Sequence, residues 1–318
     1  MKHLLIFLLS FFALNVFAQQ DGQFTQFMFN KQYYNPAYSG MRGVPTAHAI
    51  YRKQWLGFDG APENQLLGFN MPAFGEKVGL GLLLQRQSVG ITQNISGTFS
   101  YSYSVVQSDK LTVKFGLQGS LEQFSINFAN EKNIIREPGD PSTREKDAQV
   151  SAGNIGAGLY VGHSLAYVGV SMPNILESTI GVNDAGTQTA TKSRHLYIMG
   201  GAAIPVGDKV RILPAGLIKS AHNAPVGFDA NLGIELYKAF TVGASYRSTI
   251  GDTGDSIDFL LHYIIKNRMG IGLAFDNPIS PIKDFSKGSI ELLLQFDLKD
   301  KNILGSGGED MSNPRFFF

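Results

Sequence analysis

Five histidines follow the first residues of the chain: His48, His163, His195, His222 and His262. A metal centre would need two or three of them, with carboxylates, at a fixed spacing such as i, i+4 on a helix. None has it. His48, His195 and His262 fall on separate predicted strands, His163 in a turn and His222 in a loop. A hydrolase would need a serine beside a histidine and an orienting group, and no such triad is selected by the sequence. Asp252, Asp255 and Asp258 repeat every third residue. A calcium loop of the EF-hand type needs acidic residues at every second position and a glycine at the sixth. A solvated turn is therefore the favoured reading. Gly153-Asn-Ile-Gly-Ala-Gly158 lies inside a predicted strand rather than at a strand-to-helix turn, so it does not suit a phosphate cradle. The chain has no cysteine, which removes disulfides and thiolate ligands. Neither catalytic nor metal residues nor a cofactor are expected.

The elements that must carry these residues are strands. Leu111, Val113, Phe115, Leu117 and Leu121 alternate with Thr112, Lys114, Gly116, Gln118 and Ser120. Phe99, Tyr101, Tyr103 and Val105 alternate with Ser100, Ser102 and Ser104, and Ile290 to Leu298 behaves in the same way. A period of two puts one side apolar and the other polar. Fourteen such strands are predicted: 46–56, 63–72, 78–87, 92–106, 111–125, 150–162, 165–172, 193–204, 209–219, 226–237, 240–248, 256–266, 268–277 and 287–298. Their connections sort by parity, tight on one side and longer on the other, apart from the short one at 88–91. That is the pattern of a transmembrane antiparallel β-barrel, an all-β fold with an even strand number. Lys2 and His3, the apolar run Leu4–Val16 and Val16-Phe17-Ala18 predict a signal peptide over 1–18. The apolar run is shorter than the roughly 20 residues that a helical span needs. Net charge is +1, so no basic field argues for nucleic acid.

Two segments fall outside the strands. Residues 19–45 are dense in aromatics yet suit no regular element, and Pro36 biases Asn35 toward extended geometry. They predict a compact plug that buries rings against the barrel lumen, with Phe24, Phe27, Phe29, Tyr33 and Tyr34 as anchors. Gly116, Gly156, Gly158 and Gly243 lie on the polar phase, where they either make room for this plug or merely let strands bend. Arg52 also faces the lumen and is predicted to hold the plug through backbone carbonyls, with a carboxylate partner unassigned. Tyr51 and Trp55 share the opposite phase, as interfacial belt residues would. The tail 299–318 opens with a flexible glycine-rich stretch and ends Asn313-Pro314-Arg315-Phe316-Phe317-Phe318. Its three rings on a leash call for an apolar groove, on a partner or on the barrel's own rim.

Gln23-Phe-Thr-Gln-Phe-Met-Phe-Asn-Lys-Gln-Tyr-Tyr-Asn-Pro-Ala-Tyr-Ser-Gly40 resembles the N-terminal signature of the PorP/SprF family. Tyr51-Arg-Lys-Gln-Trp55 with Gly60-Ala-Pro62, and the terminal Asn-Pro-Arg-Phe-Phe pattern, resemble two further family features. At Arg86-Gln-Ser-Val-Gly90 the chain departs from it, since relatives place an Asp before the Gly. The resemblance implies a non-enzymatic outer-membrane component of the type IX secretion and gliding machinery. The partners it implies are a secreted cargo protein or large surface adhesin, periplasmic lipoprotein or ring components, and the lipid bilayer. With an even strand count, both termini would be periplasmic. A passive channel for small apolar solutes, similar to fatty-acid transporters, is the rival.

Overall fold

A computed structural model describes residues 22–108, 110–126, 148–182, 188–221, 224–251, 254–266 and 268–298. The leader, the tail, His222 and Asp252 lie outside the described residues. The strands are β1 (Thr46–Lys53), β2 (Glu63–Ala73), β3 (Val78–Val89), β4 (Thr92–Gln107), β5 (Leu111–Ile126), β6 (Ala148–His163), β7 (Ala166–Met172), β8 (Ser178–Val182), β9 (Gln188–Lys192), β10 (His195–Ala202), β11 (Ile204–Val206), β12 (Val210–Ala221), β13 (Gly227–Leu236), β14 (Phe240–Thr249), β15 (Ser256–Ile265), β16 (Met269–Pro278) and β17 (Ser289–Asp297).

From β1 to β7 and from β12 to β17 each strand pairs antiparallel with the next, β1 pairs with β17, and β10 pairs with both β7 and β12. Among the described residues this closes a barrel of fourteen strands. β11 is a short continuation of β10 beyond Ala203, and β8–β9 form a separate hairpin in the connection after β7. Closure leaves no sheet edge and satisfies the backbone within the wall, which is what lipid requires.

Alternation explains the wall. Phe115, Leu117 and Leu121 on β5 point outward and are more than half exposed, while Lys114, Gly116 and Ser120 point in. Such an outward apolar surface belongs in lipid, not water. Short turns close one rim. Tyr237 and Lys238 both adopt positive φ, of 54° and 57°, in the three-residue turn that joins β13 to β14. The opposite rim carries the longer connections.

Three expectations need correction. β1 ends at Lys53, not at residue 56, because Trp55 takes a left-handed φ of 48° and stacks edge-on against Phe58 in the following loop. Trp55 is therefore not a wall residue, whereas Tyr51 does face outward. His163 is the last residue of β6 rather than a turn residue. Asp258 sits in no solvated turn: it lies on β15, fully buried.

Candidate functional site: the occupied lumen

The segment Gly22–Val44 lies inside the barrel. It forms a 3-10 turn at Phe27–Phe29, one helical turn at Lys31–Tyr34 and a second 3-10 turn at Pro36–Tyr38. Pro36 opens the last turn, where its missing N–H is not needed, and the Asn35 side chain caps it by accepting from Ala37 N at 2.9 Å. Phe24, Phe27, Tyr34, Asn35 and Pro36 are buried, and Phe29 and Tyr33 are half-buried. Phe24 meets Tyr33 edge-on at 5.0 Å, Tyr34 meets Tyr197 of β10 at 5.2 Å, and Phe29 stacks on His262 of β15 at 4.2 Å.

The segment touches strands all round the wall. Ser171 Oγ of β7 donates to Tyr34 O at 2.6 Å, and Gln32 Nε2 donates to Phe69 O of β2 at 3.2 Å. Ser102 Oγ of β4 and Lys114 Nζ of β5 both donate to Ser39 O at 2.8 Å. Arg42 forks onto Asp297 at the end of β17. Lys31 is buried with its ammonium 4.0 Å from the Tyr167 ring centre and 5.2 Å from that of Tyr38. Burial pushes its pKa well below the ordinary lysine range, and the positive Arg42 nearby adds to this. Burial likewise raises the Tyr34 and Tyr38 phenols.

Arg52 is the hub of the other half. Its Nη1 donates to Thr25 Oγ1 at 2.7 Å and to Glu291 at 3.2 Å, and its Nη2 donates to Asp276. Glu291 in turn accepts from the backbone N–H groups of Thr25 and Gln26 at 2.8 and 3.0 Å. Thr25 Oγ1 donates to Asp276 at 2.6 Å. Arg247 joins the same network through Asp229 at 3.0 Å and Asp276 at 3.3 Å. Arg52 thus grips the segment through a threonine hydroxyl and two shared carboxylates, not through backbone carbonyls. Sequence reasoning missed Glu291, Asp276, Asp229 and Arg247. Each is a charge on the polar phase of an alternating strand, and that was the available signal. Their convergence depends on register, where Arg52 faces Glu291 and Asp229 faces Arg247.

The four glycines divide. A methyl at Gly116 would overlap the backbone of Ala37, and one at Gly158 the Asn35 side chain. Gly156 instead makes room for Pro173, which turns inward after β7, and Gly243 meets only its strand neighbours Leu232 and Leu260. Room for the inner segment thus accounts for Gly116 and Gly158, but not for Gly156 or Gly243.

Direction along the lumen matters. β1 starts and β17 ends at the short-turn rim, where Thr46 faces Asp297. Gly22, however, lies against Asn64 and Gln85, and Gln23 lines a cavity with Ala221, Thr249 and Asp255, all at the long-loop end. The two ends of the barrel strands share a rim, but the described start of the inner segment is at the other one. Among the described residues no cluster of three metal-ligating side chains occurs.

A closed, lipid-facing antiparallel barrel whose polar interior is occupied by its own amino-terminal segment defines an outer-membrane β-barrel protein. A profile described as type IX secretion system membrane protein PorP/SprF matches residues 16–296, and the chain belongs to that family. No curated protein matches the chain. Solved structures similar to it include the KdgM porin, at 13% identity over 80% of this chain and 99% of that one, TM-score 0.39. The outer membrane protein Omp33 of Acinetobacter baumannii is similar at 8% identity over 80% and 97%, TM-score 0.46. A Pseudomonas aeruginosa FadL homologue is similar at 11% over 83% and 93%, TM-score 0.45.

Proposed function

We propose that this chain is a non-enzymatic outer-membrane component of the type IX secretion or gliding machinery that helps to export or anchor surface cargo, such as a large adhesin. One observation carries the reading. The lumen is occupied by a segment fixed at both ends, through Thr25 at one and Ser39 and Arg42 at the other. A barrel stopped in this way is suited to holding rather than to passing solutes. The passive-channel reading finds no support in that interior, since one side of its long-loop half is an ion-pair network and the other is lined largely by Gln, Ser and Thr rather than by an apolar path.

In this reading, cleavage after Ala18 frees the mature chain, residues 19–45 act as the plug and 46–298 as the barrel. The long loops face the cell exterior, and the tail 299–318 reaches into the periplasm. There Asn313 and Pro314 set an extended entry, Arg315 offers a planar fork, and Phe316, Phe317 and Phe318 bury their rings on a lipoprotein or ring component. Truncation after Gly308 tests this. Outer-membrane insertion is expected to survive, and co-purification of periplasmic components from detergent to fall. Loss of insertion, with partner contacts intact in whatever inserts, would make the tail an assembly signal instead.

A further inference from the structure

Above the inner segment the lumen is not full. A cavity of about 50 Å³ lies in its long-loop half, lined among others by Gln85, Ser96, Thr98, Gln118, Ser120 and Tyr197. A second, of about 40 Å³, shares Tyr197 and lies beside Gln23 and Thr249. The rings of Tyr33 and Tyr34 reach these two cavities from the segment below. Ser120 Oγ, in the lining of the first cavity, is buried and finds no hydrogen-bond partner. A buried polar atom left unmatched costs free energy unless something else meets it.

We infer that these cavities are the floor of a binding vestibule, entered from the long-loop side, for an extended and weakly charged polypeptide segment. The inference rests on the cargo-holding reading above. Three features select the ligand class. The amides of Gln85 and Gln118, whose nitrogens already donate to Asn64 Oδ1 and Pro173 O, each keep a second N–H and an oxygen for a peptide backbone, and the hydroxyls of Ser96, Thr98 and Ser120 adapt to either. Tyrosines supply flat apolar area with little rotamer freedom to lose. The cation of the second cavity, Lys219, is already held by Asp229 at 3.0 Å, and Glu122 and Asp255 add a carboxylate to each lining, so an anionic ligand is disfavoured. The occupant enters but does not cross, because Gln26, Phe27, Met28 and Lys31 are fully buried beneath it.

The natural chain has no cysteine, so single thiols report on the vestibule without a background. Ser96→Cys and Thr98→Cys, each checked for a heat-shifted gel band to establish folding, are treated on intact cells with a membrane-impermeant maleimide. Both thiols are expected to label in cells whose type IX export is blocked. In exporting cells labelling slows about tenfold, as for a site occupied at roughly ten times Kd. Brief protease shaving of the cell surface restores it. Equal labelling in both cells, no labelling in either, or slowing that survives shaving, as a glycan would give, each overturns the inference. Surface retention of cargo is measured in parallel in cells lacking the barrel. If retention is lost there but the thiols are never protected, only the vestibule fails. If retention is unchanged, the wider reading fails as well.

Discussion

Arg52 shows how a single side chain ties the inner segment to the wall. It is buried and meets Asp276, Glu291 and Thr25 at once. Removing one partner of a buried ion pair leaves the others uncompensated, at a cost of about 3–5 kcal/mol. Arg52→Met is expected to lower the urea midpoint of the barrel in detergent by a corresponding amount. Adding Glu291→Gln should recover part of the loss, since one orphaned charge is then gone. An Arg52→Met protein as stable as the natural one would show that the network does not hold the segment. Lys31 makes a second, pH-dependent case. Its pKa is lowered in the folded chain, so between that value and the unfolded lysine value the unfolded chain binds more protons. Stability therefore rises with pH across this window. Tyr34 and Tyr38 act the other way, but only once pH passes the ordinary tyrosine value near 10. The thermal midpoint should climb from neutral pH toward pH 9 more steeply in the natural protein than in Lys31→Met. Parallel curves would refute the assignment to Lys31.

At the scale of elements, the fourteen strands were legible because lipid on one side and a polar lumen on the other enforce strict alternation. A register slip of one residue would turn Leu117 inward and Gln118 into lipid. What the strand pattern does not carry is anything set by local backbone choice or by convergence. The left-handed Trp55 ended β1 early, and the β8–β9 hairpin was not anticipated in the long connection between residues 173 and 192. The polar phase showed that Arg52 faces the lumen, yet its partners come from β16, β17 and the inner segment, which only closure brings together. The glycines give this scale its test. Gly116→Ala sets a methyl against the Ala37 backbone, which cannot rotate away, so overpacking of about 1–3 kcal/mol is expected. Gly243→Ala meets a movable Leu260 side chain and the Leu232 carbonyl at 3.2 Å, so the neighbours need give only slightly. Limited proteolysis in detergent should release the amino-terminal segment faster from the Gly116 variant alone. Equal release would mean that the fit at Ala37 is not what seats it.

For the whole molecule, the question is whether the barrel needs its occupant. Every strand of the wall has two wall neighbours, and the β1–β17 and β10–β12 pairings close it without any residue of the segment. The charges left behind can still pair across the wall: Arg52 keeps Glu291 and Asp276, and Arg247 keeps Asp229. Lys114 and Ser102 lose the Ser39 carbonyl, and water can replace it once the lumen is wet. The apolar cost of removal falls on the aromatics instead. Tyr160, Tyr167 and Tyr197 lose the rings of Tyr38 and Tyr34, but keep stacking partners in one another and in His195. Deleting residues 24–40 should therefore leave a barrel that folds and keeps its heat-shifted gel band, with a lower melting temperature. Its lumen, now lined by serine, asparagine and paired charges, should fill with water. In planar bilayers the natural protein is expected to be nearly silent and the deletion variant to show steady ohmic conductance. A deletion variant that folds yet stays silent would mean that the wall or the long loops seal the pore unaided, and the segment would then have to be explained by binding rather than by closure.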